Sequence, residues 1–383
     1  MGNDYRAERA ISRSGTSSWV VVTDEFDLHA EACAFLAGLR GRGMSVNTER
    51  LYASRVALYL SYCAEHGLAW AEPGFLGLRA FQDWLISEPL PSRGRQRGRA
   101  PRFRSRGTAN AALTSVASFL RFGHAHGWVP ARTVSVLTGP ARWRHLPPGF
   151  DTGENGQWRP AAASTLRFPT VTPGVEILDD GQIGRLLELA PRARDRFLIA
   201  LLACTGMRIG EALGLRRADM HLLASSLGLG CRVEGPHVHV RRRADNANGA
   251  LAKSRFPRVL PVTPELVDYY TAYQRERDQV GAAAEADMVL VNLFRPPLGR
   301  PMSYPAVHEM FARLGERAGF RVRPHLFRHT AATRWLAAGV DRDVVQHLLG
   351  HVSPASMQPY LHIDERATRD AVERVAVVSA GAR

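Results

Sequence analysis

Lysine is almost missing from this chain. Of its 50 basic side chains only one, Lys253, is a lysine, and the rest are arginines. A guanidinium is always charged and a poor proton donor, whereas an ammonium can give up a proton. The survival of this one lysine is read as support for a general acid. Cysteine is scarce too: Cys33, Cys63, Cys204 and Cys231 lie far apart and form no C-x-x-C pair. That fits a reducing cytosol and disfavours both a disulfide framework and a structural zinc site. No apolar run is long enough to span a bilayer, no signal peptide is visible, and no repeat of solenoid length occurs. A soluble intracellular protein with no membrane partner is expected.

A length of 383 residues suggests two or three domains, and a net charge of +14 favours a polyanionic partner. Residues 1–24 are polar apart from Trp19–Val22 and read as a flexible arm or an edge strand. Helical spacing is predicted at Asp27–Leu39, Thr48–Glu65, Leu78–Ile86 and from Thr108, as cap, to His126. Between the last two lies a loop carrying Arg93, Arg95, Arg97, Arg99, Arg102, Arg104 and Arg106 without an acid. It is either a solvated loop or a grip on phosphates. Residues 138–175 are rich in Gly and Pro and are predicted to be a linker with little regular structure. A second domain is expected to open with helices at Gln182–Leu189, Arg194–Cys204 and Ile209–Leu215. A hairpin follows, with strands at His237–Arg241 and Phe256–Val262 and Lys253 on its return side. Helices at Pro264–Val280 and Tyr304–Ala318 complete the scaffold.

The most informative stretch runs from Pro324 to Tyr360. Pro324 suits the first turn of a helix, and Gly339 a left-handed stop. On that helix His325, Arg328 and His329 share one face, while almost everything else is apolar or small, so Arg328 is expected to be buried and in need of strong acceptors. A second short helix, capped by Asp341, ends at Gly350 and delivers His351, with Tyr360 nine residues on. Two histidines, a buried arginine and a tyrosine suit attack of a phenol on a phosphodiester. A zinc reading of His325, His329 and His351 stays open, weakened by Leu326, which stands where H-E-x-x-H needs glutamate.

This stretch resembles the tyrosine recombinase (phage integrase) family, whose signature is H-x-x-R, then G-H, then a tyrosine nine residues on. It reads His325-Leu-Phe-Arg328, Gly350-His351 and Tyr360 here, and Thr205-Gly-Met-Arg208-Ile-Gly-Glu211 matches the family's upstream arginine motif. Lys253 lies where the family places a catalytic lysine. The resemblance implies a mainly α fold with a small antiparallel β-sheet. A helical, SAM-like core-DNA-binding domain (25–137) would precede the linker (138–175), a tyrosine recombinase catalytic domain (176–365) and a C-terminal tail (366–383).

It further implies that Tyr360 is the nucleophile and that Arg208 and Arg328 clamp the phosphate. Lys253 would be the general acid, His325 would assist proton transfer, His351 would bind the phosphate and Glu211 would orient a guanidinium. The arginines of the 93–106 loop would bind DNA. No cofactor or metal is implied. The expected partner is double-stranded DNA with specific sites, bound by a homotetramer, a dimer per site, in the cytoplasm or nucleoid, with accessory proteins possible. A type IB topoisomerase-like relaxing enzyme, a non-catalytic DNA-binding regulator and a zinc hydrolase stay as alternatives. Two positions depart from the family: Pro359 precedes Tyr360, and Phe327 stands where leucine is usual.

Overall fold

The computed structural model describes residues 5–13, 15, 17–91, 100–142, 158–162, 166–170, 174–254 and 256–350. It divides into two compact units, Met1–Thr172 and Pro173–Arg383.

The first unit begins with two antiparallel strands, β1 (Arg6–Ile11) and β2 (Ser17–Val22), so the expected arm is a hairpin. Its alternation is weak in sequence because only one side is covered: Val21 is fully buried with Phe35, Leu36 and Phe119. Glu49, itself buried, accepts the Trp19 backbone N–H at 2.8 Å and a short bond from Arg40, tying the hairpin to the helices. Those helices are α1 (Ala30–Gly41), α2 (Val46–Glu65), α3 (Gly74–Ser87), α4 (Arg106–Ala125) and α5 (Ala131–Val136). Ser105, not Thr108, caps α4; its hydroxyl accepts the Thr108 N–H at 3.2 Å.

The stretch expected as a linker with little regular structure contains a second hairpin, β3 (Thr138–Arg142) with β4 (Trp158–Ala162). Beyond it Leu166 is buried and Phe168 packs with the helical core. The Asn110 side-chain amide bonds the Phe168 backbone at both ends, 2.9 Å each. The regular chain of this unit therefore extends past the expected boundary at 137.

The second unit opens with α6 (Asp180–Leu189), closed at its start by a reciprocal capping box of Asp179 and Gln182. Next comes α7 (Ala193–Thr205), the central helix, with Phe197, Leu198, Ile199, Leu201 and Leu202 fully buried. After α8 (Ile209–Ala212), which is shorter than the predicted 209–215, three antiparallel strands follow in the order β5 (Met220–His221), β6 (His237–Val240), β7 (Arg258–Pro261). Then come α9 (Pro264–Asp278), α10 (Gly281–Ala284), α11 (Tyr304–Ala318), α12 (Pro324–Ala337) and α13 (Arg342–Leu349). α9 and α12 both pack on α7. Among the described residues no helix is long and apolar enough to cross a membrane.

Candidate functional site

The site is built where α7, α8, α12 and α13 end or begin. α7 stops at Gly206, whose φ of 58° is left-handed, and a Cβ there would lie 2.9 Å from the Ala331 Cβ and 3.2 Å from Leu349. Only glycine satisfies both the backbone and the packing. The turn carries Arg208 to the head of α8, where its backbone N–H donates to Glu211 at 2.9 Å and its guanidinium donates to Glu211 and to the Leu349 carbonyl at 3.3 and 3.5 Å.

Arg328, on α12, is 1% exposed. It donates to the carbonyls of Gly206 at 3.0 Å and Leu349 at 2.6 Å. The second carbonyl belongs to the C-terminal end of α13, where unsatisfied oxygens and the negative end of the helix dipole favour a cation.

A third arginine, absent from the sequence reading, completes this arrangement. Arg258 on β7 is buried, donates to both oxygens of Glu211 at 3.2 and 2.7 Å, and gives its Nε–H to the Leu348 carbonyl at 2.9 Å. Glu211 therefore holds Arg258 more directly than Arg208. Burial pushes the Glu211 carboxyl up, but the hydrogen bonds and charge of Arg258, then the Arg208 amide and charge, outweigh it and hold the group below the ordinary carboxylate range. The Arg258 guanidinium also covers Gly350, where a Cβ would meet it at 2.7 Å; with a φ of 62°, that glycine too is doubly required.

Lys253 lies on the connection between β6 and β7, not on the returning strand. The connection is anchored from both sides. Arg243 grips the buried Asp219 through two bonds of 2.7 Å, and the Asn248 amide donates to the carbonyls of Leu213 and Met302 at 3.0 and 2.8 Å. Lys253, Arg208, His325 and Arg328 line one cavity of about 270 Å3, with Tyr304 and Gly210 in its wall. His325 stands at its exposed rim. Burial of part of the ring, then His329 at a ring-centroid distance of 4.3 Å, then Arg328, Arg208 and Arg323, pull its pKa down to about 4. It is a neutral imidazole at pH 7, and the same shift makes it a weaker proton acceptor than a free imidazole.

Of the expected site, Arg208, Glu211, Lys253, His325 and Arg328 come together. His351 and Tyr360 lie outside the described residues, as do Arg93, Arg95, Arg97 and Arg99. Of the remaining loop arginines, Arg104 sets its guanidinium 5.3 Å from the Trp84 ring centre, and Arg102 and Arg106 flank it. The zinc reading of His325, His329 and His351 has two of its residues described. Those two sit edge to face beside Arg328, a cation that opposes a divalent ion there.

Residues 176–366 match the phage integrase family. Over 349 residues, 91% of each chain, the sequence is 24% identical to transposase A from transposon Tn554 of Staphylococcus aureus. It is 29% identical to the tyrosine recombinase XerC of Rhodospirillum centenum over 330 residues, 84% of this chain and 79% of the relative. The fold is similar to that of the Tn1549 transposon integrase, solved in complex with circular intermediate DNA. The TM-score is 0.59 at 17% identity, covering 89% of this chain and 98% of that one.

Proposed function

The chain belongs to the phage integrase family, and on that premise we propose a site-specific DNA recombinase, of integrase or transposase kind, that cuts and rejoins double-stranded DNA through a 3′-phosphotyrosine. The observation that carries this reading is the convergence of Arg208, Lys253, His325 and Arg328 on one cavity. The same arginines hold the carbonyl end of α13, immediately before His351.

In the proposed reaction the Tyr360 oxygen attacks phosphorus and its proton passes to the neutral His325. Arg208 and Arg328, with His351, hold the non-bridging oxygens as charge accumulates on the five-coordinate phosphorus. The bond to the 5′ oxygen breaks, and that oxygen takes a proton from Lys253. Glu211 and Arg258 position the clamp. The phosphodiester energy is kept in the phosphotyrosine, so neither ATP nor a catalytic divalent ion takes part. A 5′ hydroxyl from a partner duplex reverses the step, and two rounds pass through a Holliday junction. A tetramer, a dimer on each site, is the assembly this exchange requires. Arg102, Arg106 and the arginines of 93–99 contribute sequence-independent affinity, with Arg104 held on Trp84. The workplace is the bacterial cytoplasm or nucleoid.

The test is trapping a covalent protein–DNA adduct on nicked DNA from the ends of the gene's own element, without added divalent metal. A denaturant-stable adduct at a 3′ phosphate is expected, and none with Tyr360→Phe. No adduct on DNA that the protein demonstrably binds would overturn the reading. Supercoil relaxation without any recombinant from two sites would favour a topoisomerase.

A further inference from the structure

We propose that His221, Cys231, His237 and His239 form a structural zinc site in the catalytic unit. None of the four lines the cavity described above. The four come from β5, the connection after it, and β6, and one donor atom from each lies within 4.8 Å of all the others. His237 and His239 alternate on one face of β6, opposite Val238 and Val240, which enter the core. Register sets His221 directly across from His237.

The spacing of the donors matches a tetrahedral ion. With Zn–N near 2.0 Å and Zn–S near 2.3 Å, two nitrogens stand roughly 3.3 Å apart and a nitrogen and a sulfur roughly 3.5 Å. The His237 and His239 Nε2 atoms are 3.2 Å apart, and the Cys231 Sγ lies 3.4 and 3.5 Å from them. His221 completes the set, with a donor atom within 4.8 Å of the other three.

The tautomers are arranged for the same purpose. The His237 Nδ1–H donates to the Gly235 carbonyl at 2.7 Å, leaving the Nε2 lone pair facing Cys231 and His239. The His221 Nε2–H donates to the Ala218 carbonyl at 3.3 Å, and its buried Nδ1 has no hydrogen-bond partner. Backbone carbonyls fixing the far nitrogen of each imidazole are the usual outer support of a metal-bound histidine.

Three nitrogens and one thiolate leave no place for a substrate or water, which makes the site structural, not catalytic. The connection it would pin, residues 222–236, needs such a pin. Leu223, Leu227 and Leu229 are exposed, so little core holds it. A bound ion would supply the anchor that burial does not.

The proposal is independent of the strand-transfer reading and is tested without activity. The full chain is loaded with zinc under reducing conditions, dialysed and submitted to elemental analysis. One equivalent of zinc per chain is expected, falling to none in Cys231→Ser/His239→Gln and unchanged in Cys204→Ser. Loaded with cobalt instead, the native chain should show a thiolate-to-cobalt charge-transfer band that Cys231→Ser lacks. Should the double variant misfold, the cobalt spectrum of the single His239→Gln chain, with far-ultraviolet dichroism as the folding control, decides. A native chain without metal, or metal retained in full by these variants, would overturn the assignment.

Discussion

Replacing Glu211 by glutamine tests whether the buried carboxylate organises the arginine cluster. The substitution keeps volume and one acceptor oxygen, removes the charge and turns the other acceptor into an NH2 donor. Arg258, 5% exposed, then loses its counter-ion. Two unit charges about 4 Å apart attract by roughly 4 kcal/mol at an effective dielectric of about 20. Breaking one side of a buried pair costs about 3–5 kcal/mol, and the remaining amide acceptor puts Glu211→Gln at about 3 kcal/mol. In a unit of this size each kcal/mol moves the melting temperature by about 2–4 °C, so a fall of about 6–12 °C is expected. Calorimetry of the full chain at pH 7 reads it directly. Arg258→Met should also destabilise, and the double variant should lose less than the sum, because the two residues are one interaction.

The acid limb follows from the depressed carboxyl. Its contribution is complete above the ordinary carboxylate range and is lost as the pH falls through and below that range, so Glu211→Gln should show a shallower acid limb. A melting temperature within about 2 °C of native for Glu211→Gln, or strict additivity, would refute the reasoning.

Gly210→Ala is expected to slow cleavage, because its Cβ would lie 2.3 Å from the Tyr304 hydroxyl and 2.9 Å from the Leu251 carbonyl, displacing the chain that leads to Lys253. Single-turnover rates on a nicked substrate should improve in Gly210→Ala/Tyr304→Phe; no recovery would locate the damage elsewhere. Lys253→Arg should cut cleavage by about 10²–10⁴. Sulfur in place of the leaving 5′ oxygen, which needs no proton to depart, should restore most of that loss, and equal loss on both substrates would remove Lys253 as the acid. His325 takes its proton near pH 6.5 when unfolded and near 4 when folded, so stability should fall as the pH drops between those values. His325→Gln should flatten that fall in pH-dependent denaturant unfolding, and an unchanged slope would contradict the shift.

The sequence made the motif-bearing helices legible because caps and breakers bound them. Pro324, Gly339 and Gly350 mark α12 and α13. It concealed Arg258, since in a chain so rich in arginine another one on a strand stands out only once its burial against Glu211 is seen. The hairpin at 138–142 and 158–162 was hidden by Gly139, Pro140 and Pro160, which read as loop although backbone pairing tolerates them at the edge of a two-stranded ribbon. Cysteine spacing argued against a structural metal because it searched for thiol pairs. The alternating His237 and His239, with His221 and a single Cys231 nearby, carried a signal of another form. Lys253 was found by its rarity, but its connection is set by Asp219, Arg243 and Asn248, whose long-range bonds leave no periodic trace.

Three guanidiniums resting on the last carbonyls of α13 have a thermodynamic consequence. A free arginine side chain carries about 2 kcal/mol of rotamer entropy, which ordinarily has to be surrendered when it closes on a ligand. Here Arg208, Arg258 and Arg328 are ordered by Glu211 and by the carbonyls of Gly206, Leu348 and Leu349. That loss is incurred in folding, before any DNA arrives. If Arg208 and Arg328 clamp the phosphate as proposed, folding stability and phosphate affinity share this ordering, and a change that frays the end of α13 is expected to weaken both together.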